Sequence, residues 1–118
     1  MTGRERAQQP EDLARLFVQR ALDGDVDGLT DLYEPDAVLA YPPGQQTVGR
    51  EAIRAVLSAL VAAAPPFKAE EPLPTLRFGD LALTSTRPAD SAGGRVQVAR
   101  RQPDGSWLRI MDRPEAPR

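Results

Sequence analysis

The chain contains no cysteine and no histidine. The first absence excludes disulfides and thiolate metal sites. The second removes the commonest general base and the commonest zinc ligand, and with them any Ser-His-Asp or Cys-His arrangement. There is no excess of positive charge: the formal net charge is -2, so nothing favours a nucleic-acid partner, which would select a basic face. No apolar run approaches the roughly 20 residues that cross a bilayer. The first residues, MTGRERAQQPED, lack the apolar core of a signal peptide. A cytoplasmic protein with no membrane partner, no cofactor and no metal is expected.

The 118 residues suffice for one domain around one core. Residues 1–9 and 114–118 are polar and aperiodic and read as flexible ends; a single domain is expected over residues 10–113. Pro10, Glu11 and Asp12 suit a helix start, and Leu13, Leu16, Phe17 and Ala21 follow on one helical face. Gly24 is a natural stop. Asp25 can cap a short second helix carrying Val26, Leu29, Leu32 and Tyr33, which Pro35 ends. Ala37–Tyr41 reads as a short strand closed by the Pro42-Pro43-Gly44 turn. Ile53, Val56, Leu57, Leu60, Val61 and Ala64 then make the clearest amphipathic helix of the chain.

The second half reads as strands and turns. Phe67 to Phe78, broken by Pro72 and Pro74, is expected as an irregular or edge strand. Leu81–Arg87, Arg95–Arg101 and Trp107–Arg113 are strands, the last two joined by a Pro103-Asp104-Gly105 hairpin turn. Three helices followed by a strand meander predict an α+β domain with helices on one face of a sheet.

Five segments carry a resemblance: Ala21–Gly28 (ALDGDVDG), Leu32–Leu39 (LYEPDAVL), Gly49–Arg54 (GREAIR), Phe78–Leu83 (FGDLAL) and Arg100–Trp107 (RRQPDGSW). In this order and spacing the chain resembles the SnoaL-like, ketosteroid isomerase-like branch of the nuclear transport factor 2-like superfamily. The resemblance implies a curved, cone-like, mostly antiparallel mixed sheet closed by three helices around an apolar pocket. It also implies homodimers formed through the sheet. In the isomerases an Asp late in the first strand moves the proton, and a first-helix Tyr and a protonated late-strand Asp stabilise the oxyanion, a familiar case of pKa tuning. Here those positions fall on Tyr41, Phe17 and, within a residue or two, Gln97. A phenol, with an ordinary pKa of about 10, is a poor base at neutral pH, so the isomerase reaction is not expected.

Phe17, Tyr41, Gln97 and Asp112 are the candidate pocket residues. Tyr41 offers a phenol at the pocket mouth or simply an aromatic covering the core. Gln97 alternates with Val96 and Val98, and faces the pocket, an interface or solvent. Asp112 is a candidate pocket acid, set against the preferred reading of a surface ion pair with Arg113 or a neighbouring strand arginine. Strict strand alternation places Leu108, Ile110 and Asp112 on one face and Trp107, Arg109 and Met111 on the other. That separates Arg109 from Asp112 and counts against an Asp-Arg-Asp epoxide-hydrolase arrangement. Trp107 reads as core, and Arg100-Arg101 as solvated and ion-paired. The Asp23, Asp25, Asp27 and Asp31 cluster reads as capping, since it lacks the Gly and terminal Glu of a calcium loop. Thr84, Ser85 and Thr86 have no base to activate them. The expected function is binding of a small, mostly apolar molecule, with an isomerase- or cyclase-like activity open. The alternative is a non-enzymatic dimeric interaction module with a vestigial pocket.

Overall fold

The computed structural model describes residues 4–63, 70–87 and 94–116. The helices are α1 (Asp12–Leu22), α2 (Val26–Thr30) and α3 (Arg50–Ala63), with the first two strands lying between α2 and α3. The strands are β1 (Tyr33–Leu39), β2 (Thr47–Val48), β3 (Leu76–Phe78), β4 (Leu81–Ser85), β5 (Gly94–Arg101) and β6 (Trp107–Ala116). They form one six-stranded sheet in the order β2-β1-β6-β5-β4-β3. Only β1 and β6 pair in parallel; every other neighbouring pair is antiparallel. This is the mixed, curved α+β sheet with three helices that the sequence predicts.

The apolar stripe of α3 buries Ile53 and Leu57, with Val56, Leu60 and Val61 packed at the margin of the core. From α1 come Leu13, Leu16 and Ala21. Asp25 does cap α2: its side chain accepts from the Gly28 N–H at 3.0 Å. The helix ends sooner than its apolar spacing suggests, however. It stops at Thr30, and Tyr33 is the first residue of β1 rather than the last of α2. The Tyr33 carbonyl faces α3 and accepts from Arg50 Nε at 3.0 Å, which ties the strand start to the third helix. Pro35, which cannot donate to a ladder, lies inside β1, and the pairing with β6 slips between Tyr33 and Val38. Two-residue β2 has too little sequence to announce itself.

Gly49, at φ +92°, makes the left-handed step into α3 that side chains resist. Part of the Phe67–Phe78 expectation, residues 67–69, lies outside the described residues; its end is the edge strand β3. Residues 4–9, read from sequence as a flexible end, lie along the body. Ala7 is buried and its carbonyl accepts from the Trp107 N–H at 2.9 Å. Arg20, buried on α1, donates to the Gly28 carbonyl at 2.7 Å and to the Glu5 carbonyl, joining this segment to α1 and α2.

The sheet has two unlike faces. Residues paired across strands share a face, so one register row can be followed through all six strands: Val48, Val38, Met111, Val98, Leu83 and Leu76. This row is on the outer face, where Val48, Met111 and Leu76 are exposed. The opposite, helix-covered face carries Leu39, Asp112, Gln97 and Thr84 in one row, and Tyr33, Arg109, Ala99 and Ala82 in another. Among the described residues, no helix is long and apolar enough to cross a membrane.

Candidate functional site

The inner rows bring together polar groups that the sequence scatters over 80 residues. Between Val98 and Ala99 on β5 the register with β6 shifts: Val98 pairs with Met111, but Ala99 pairs with Arg109. Ile110 is the extra residue of a β-bulge. A bulge breaks the two-residue alternation of side chains, so Arg109 and Asp112, three positions apart, both turn inward. The expectation that they occupy opposite faces is therefore wrong. So is the preferred reading of Asp112 as the surface partner of Arg113 or a neighbouring strand arginine: Asp112 is only 5% exposed, and its ion pair, with Arg109, is buried.

Asp112 is the hub. Oδ2 accepts from the Tyr33 hydroxyl at 2.6 Å and from Arg109 Nη1 at 3.4 Å, while Oδ1 accepts from Gln97 Nε2 at 3.2 Å. Gln97 Oε1 in turn accepts from the Thr84 hydroxyl at 3.2 Å. Tyr33, Gln97, Arg109 and Asp112 are all buried. The Arg109 guanidinium lies over the Phe17 ring at 5.3 Å and over the Tyr33 ring at 5.9 Å, a cation–π setting. Burial, then the Asp112 charge, pushes the Tyr33 phenol well above its ordinary range, so Tyr33 is a hydrogen-bond donor and not a base. Burial works against the Arg109 charge, but Asp112 and Tyr33 outweigh it and its pKa is raised. Arg109 Nε is buried and has no hydrogen-bond partner among the described residues.

Three of the four predicted pocket residues thus converge: Phe17 on α1, Gln97 on β5 and Asp112 on β6. Tyr41 does not join the network; it is half-buried beyond the end of β1, against the edge of the core. Tyr33 and Arg109 are the members that sequence reasoning missed. Asp112 has three donors and no second carboxylate beside it among the described residues, so an Asp-Arg-Asp set is incomplete. Asp36, the other acid near the first strand's end, is exposed on β1.

The remaining sequence candidates have structural roles. Trp107 is buried in the core. Arg100 pairs with Glu34 at 2.9 Å, and Arg101 with Asp80 at 2.9 Å. In the acidic cluster, Asp25 pairs with Arg4 and Asp27 with Arg54, and among the described residues no acid group is arranged to hold a metal. Two open surface depressions contain some of these ion pairs: one is lined by Asp80 and Arg101, the other by Asp27 and Arg54 together with Arg50 and Glu51. Neither is lined by a side chain of the inner network.

Comparison with known proteins agrees with this architecture. The SnoaL-like domain family model matches residues 14–112. No curated protein sequence matches the chain. Among solved structures, a nuclear transport factor 2-like protein of unknown function from Pseudomonas putida is 24% identical, with 91% of this chain and 83% of that one covered at a TM-score of 0.69. A ketosteroid isomerase-like protein from Erwinia carotovora is 20% identical, with 87% and 89% covered at a TM-score of 0.68. A nuclear transport factor 2-like protein with a cystatin-like fold from Novosphingobium aromaticivorans is 22% identical, with 86% and 75% covered at a TM-score of 0.64. At these identities the structures speak for the fold alone. The family match covers most of the chain, from the first helix to the buried Asp112, and the chain belongs to the SnoaL-like domain family.

Proposed function

We propose that the chain binds a small, mostly apolar molecule on the helix-covered face of its sheet, against Phe17, Gln97 and Arg109. The observation that carries this reading is the buried, mutually hydrogen-bonded set Tyr33, Gln97, Arg109 and Asp112 beside the apolar core. A buried ion pair is a poor way to gain stability, since apolar replacements of similar volume often do as well or better. A few convergent polar groups in apolar surroundings are what a small-molecule site requires. If a reaction follows binding, it differs from ketosteroid isomerisation: Phe17 has no hydroxyl, Tyr41 is no carboxylate, and Asp112 is held by three donors. A thermal-shift screen with apolar aromatic compounds tests the reading. A ligand that binds only the native state at 100 times its Kd adds about 2.7 kcal/mol; no stabilisation by any compound in the screen contradicts it.

The second reading, a dimeric interaction module, draws on the outer face. Val48, Met111 and Leu76 in the six-strand apolar row are exposed, and a contiguous exposed apolar patch marks an interaction surface. A second copy of the chain would cover it symmetrically. Homodimerisation through this face is compatible with a ligand on the inner one.

A further inference from the structure

We infer that the molecule bound on the inner face carries a carboxylate, gripped side-on by Arg109. The inference rests on the proposed binding function and adds the chemical class of the ligand. It begins with a count of donors and acceptors. Asp112 is the network's only carboxylate among the described residues, and its oxygens already accept from Tyr33, Gln97 and Arg109. Gln97 Oε1 is taken by Thr84. None of these acceptors reaches Arg109 Nε, which stays buried with no partner among the described residues. A donor on a cation that is 4% exposed is costly to leave unmet. What completes the site is therefore an acceptor.

The geometry of a guanidinium narrows that acceptor. Nη1 is turned to Asp112. By covalent geometry the Nε–H points parallel to an Nη2–H, and this two-donor edge matches the two oxygens of a carboxylate. A ketone or ester presents a single carbonyl oxygen and meets half of the fork. Asp112 lies on the Nη1 side, and the Tyr33 and Gln97 donors share its charge, which weakens its repulsion of the incoming anion. The Phe17 and Tyr33 rings beside the guanidinium supply apolar contact for the body of the ligand and keep water from the ion pair, which strengthens it. The chemistry at Arg109 thus selects an apolar monocarboxylic acid.

The test is calorimetric titration of the whole chain with three probes of one shape: 2-naphthoate, 2-acetylnaphthalene and 2-ethylnaphthalene. The expected result is that 2-naphthoate binds at least about tenfold tighter than either neutral probe, a difference typical of one good charge-assisted contact. In R109M/D112L, which removes both charges together and so avoids stranding one, that preference disappears while 2-ethylnaphthalene still binds. In R109K, which keeps the charge and loses the fork, 2-naphthoate weakens. Equal binding of the three probes, or tighter binding of the ketone, overturns the carboxylate and leaves the apolar site standing. A naphthoate preference that survives in R109M/D112L places the anion elsewhere and also overturns it. Binding of none of the three overturns the inference and the proposed function together.

Discussion

The Tyr33 hydroxyl donates to Asp112 Oδ2 across 2.6 Å, joining the first residue of β1 to the central strand β6. Both groups are buried, so neither can exchange this bond for water. Tyr33→Phe keeps the ring and removes the donor, leaving Asp112 with a smaller share of its solvation. Stranding part of a buried polar group costs about 1–3 kcal/mol. Urea denaturation checks this; an unchanged midpoint would mean that water reaches Asp112 freely.

The same bond predicts an alkaline limb. The folded-state pKa of Tyr33 is raised, by burial first and by the Asp112 charge second. Its contribution to stability is complete below the ordinary phenol pKa of about 10. Above that value the unfolded chain loses the proton and the native one keeps it, so stability falls as pH rises, by up to about 1.4 kcal/mol per unit for one group. Unfolding measured from pH 9 to 11.5 should show a steeper loss in the wild type than in Tyr33→Phe. Parallel curves would contradict the assignment.

Arg109 and Asp112 should behave as a unit. Removing one member leaves a buried charge, at a cost of about 3–5 kcal/mol, whereas replacing both with apolar residues is far milder. Arg109→Met should therefore be less stable than Arg109→Met with Asp112→Leu. Additive losses in the double variant would show that the two residues are not coupled.

How much of this was legible depended on whether a local pattern survived folding. The α3 stripe did, because a helix fixes its own period and Ile53 and Leu57 stay four apart on one face. The β6 assignments did not. Nothing in WLRIMD marks Ile110 as a bulge; the slip is set by β5 across the ladder, and one extra residue moves Asp112 to the side of Arg109. Tyr33 was misplaced for a related reason. It lies four residues after Leu29 and so fits a helical face, but its partner is Asp112, 79 residues away. Phe17 and Gln97 were found through the family resemblance, whereas Arg109 carried no signal of its own.

The core of α3 gives a simpler expectation. Leu57 is 2% exposed. Leu57→Ala should cost about 2–5 kcal/mol, the usual range for a large-to-small change at a closely packed site. A loss below about 0.5 kcal/mol would mean that the helix is not docked on the sheet.

The outer row predicts assembly. Light scattering at micromolar concentration should give about twice the 12.8 kDa chain mass. Val98→Glu, in the middle of the row, should return the protein to a monomer without unfolding it. A wild-type monomer would leave the apolar row uncovered and remove the interaction-module reading.

The central claim is that a small molecule binds on the helix-covered face. The most direct measurement is a nuclear magnetic resonance titration of the isotope-labelled chain with 2-naphthoate. The predicted result is saturable shifts at the Gln97 side-chain amide, the Arg109 Nε–H and the Phe17 ring, with Val48, Leu76 and Met111 unmoved. Shifts confined to the outer row, or none at saturating probe, would contradict it.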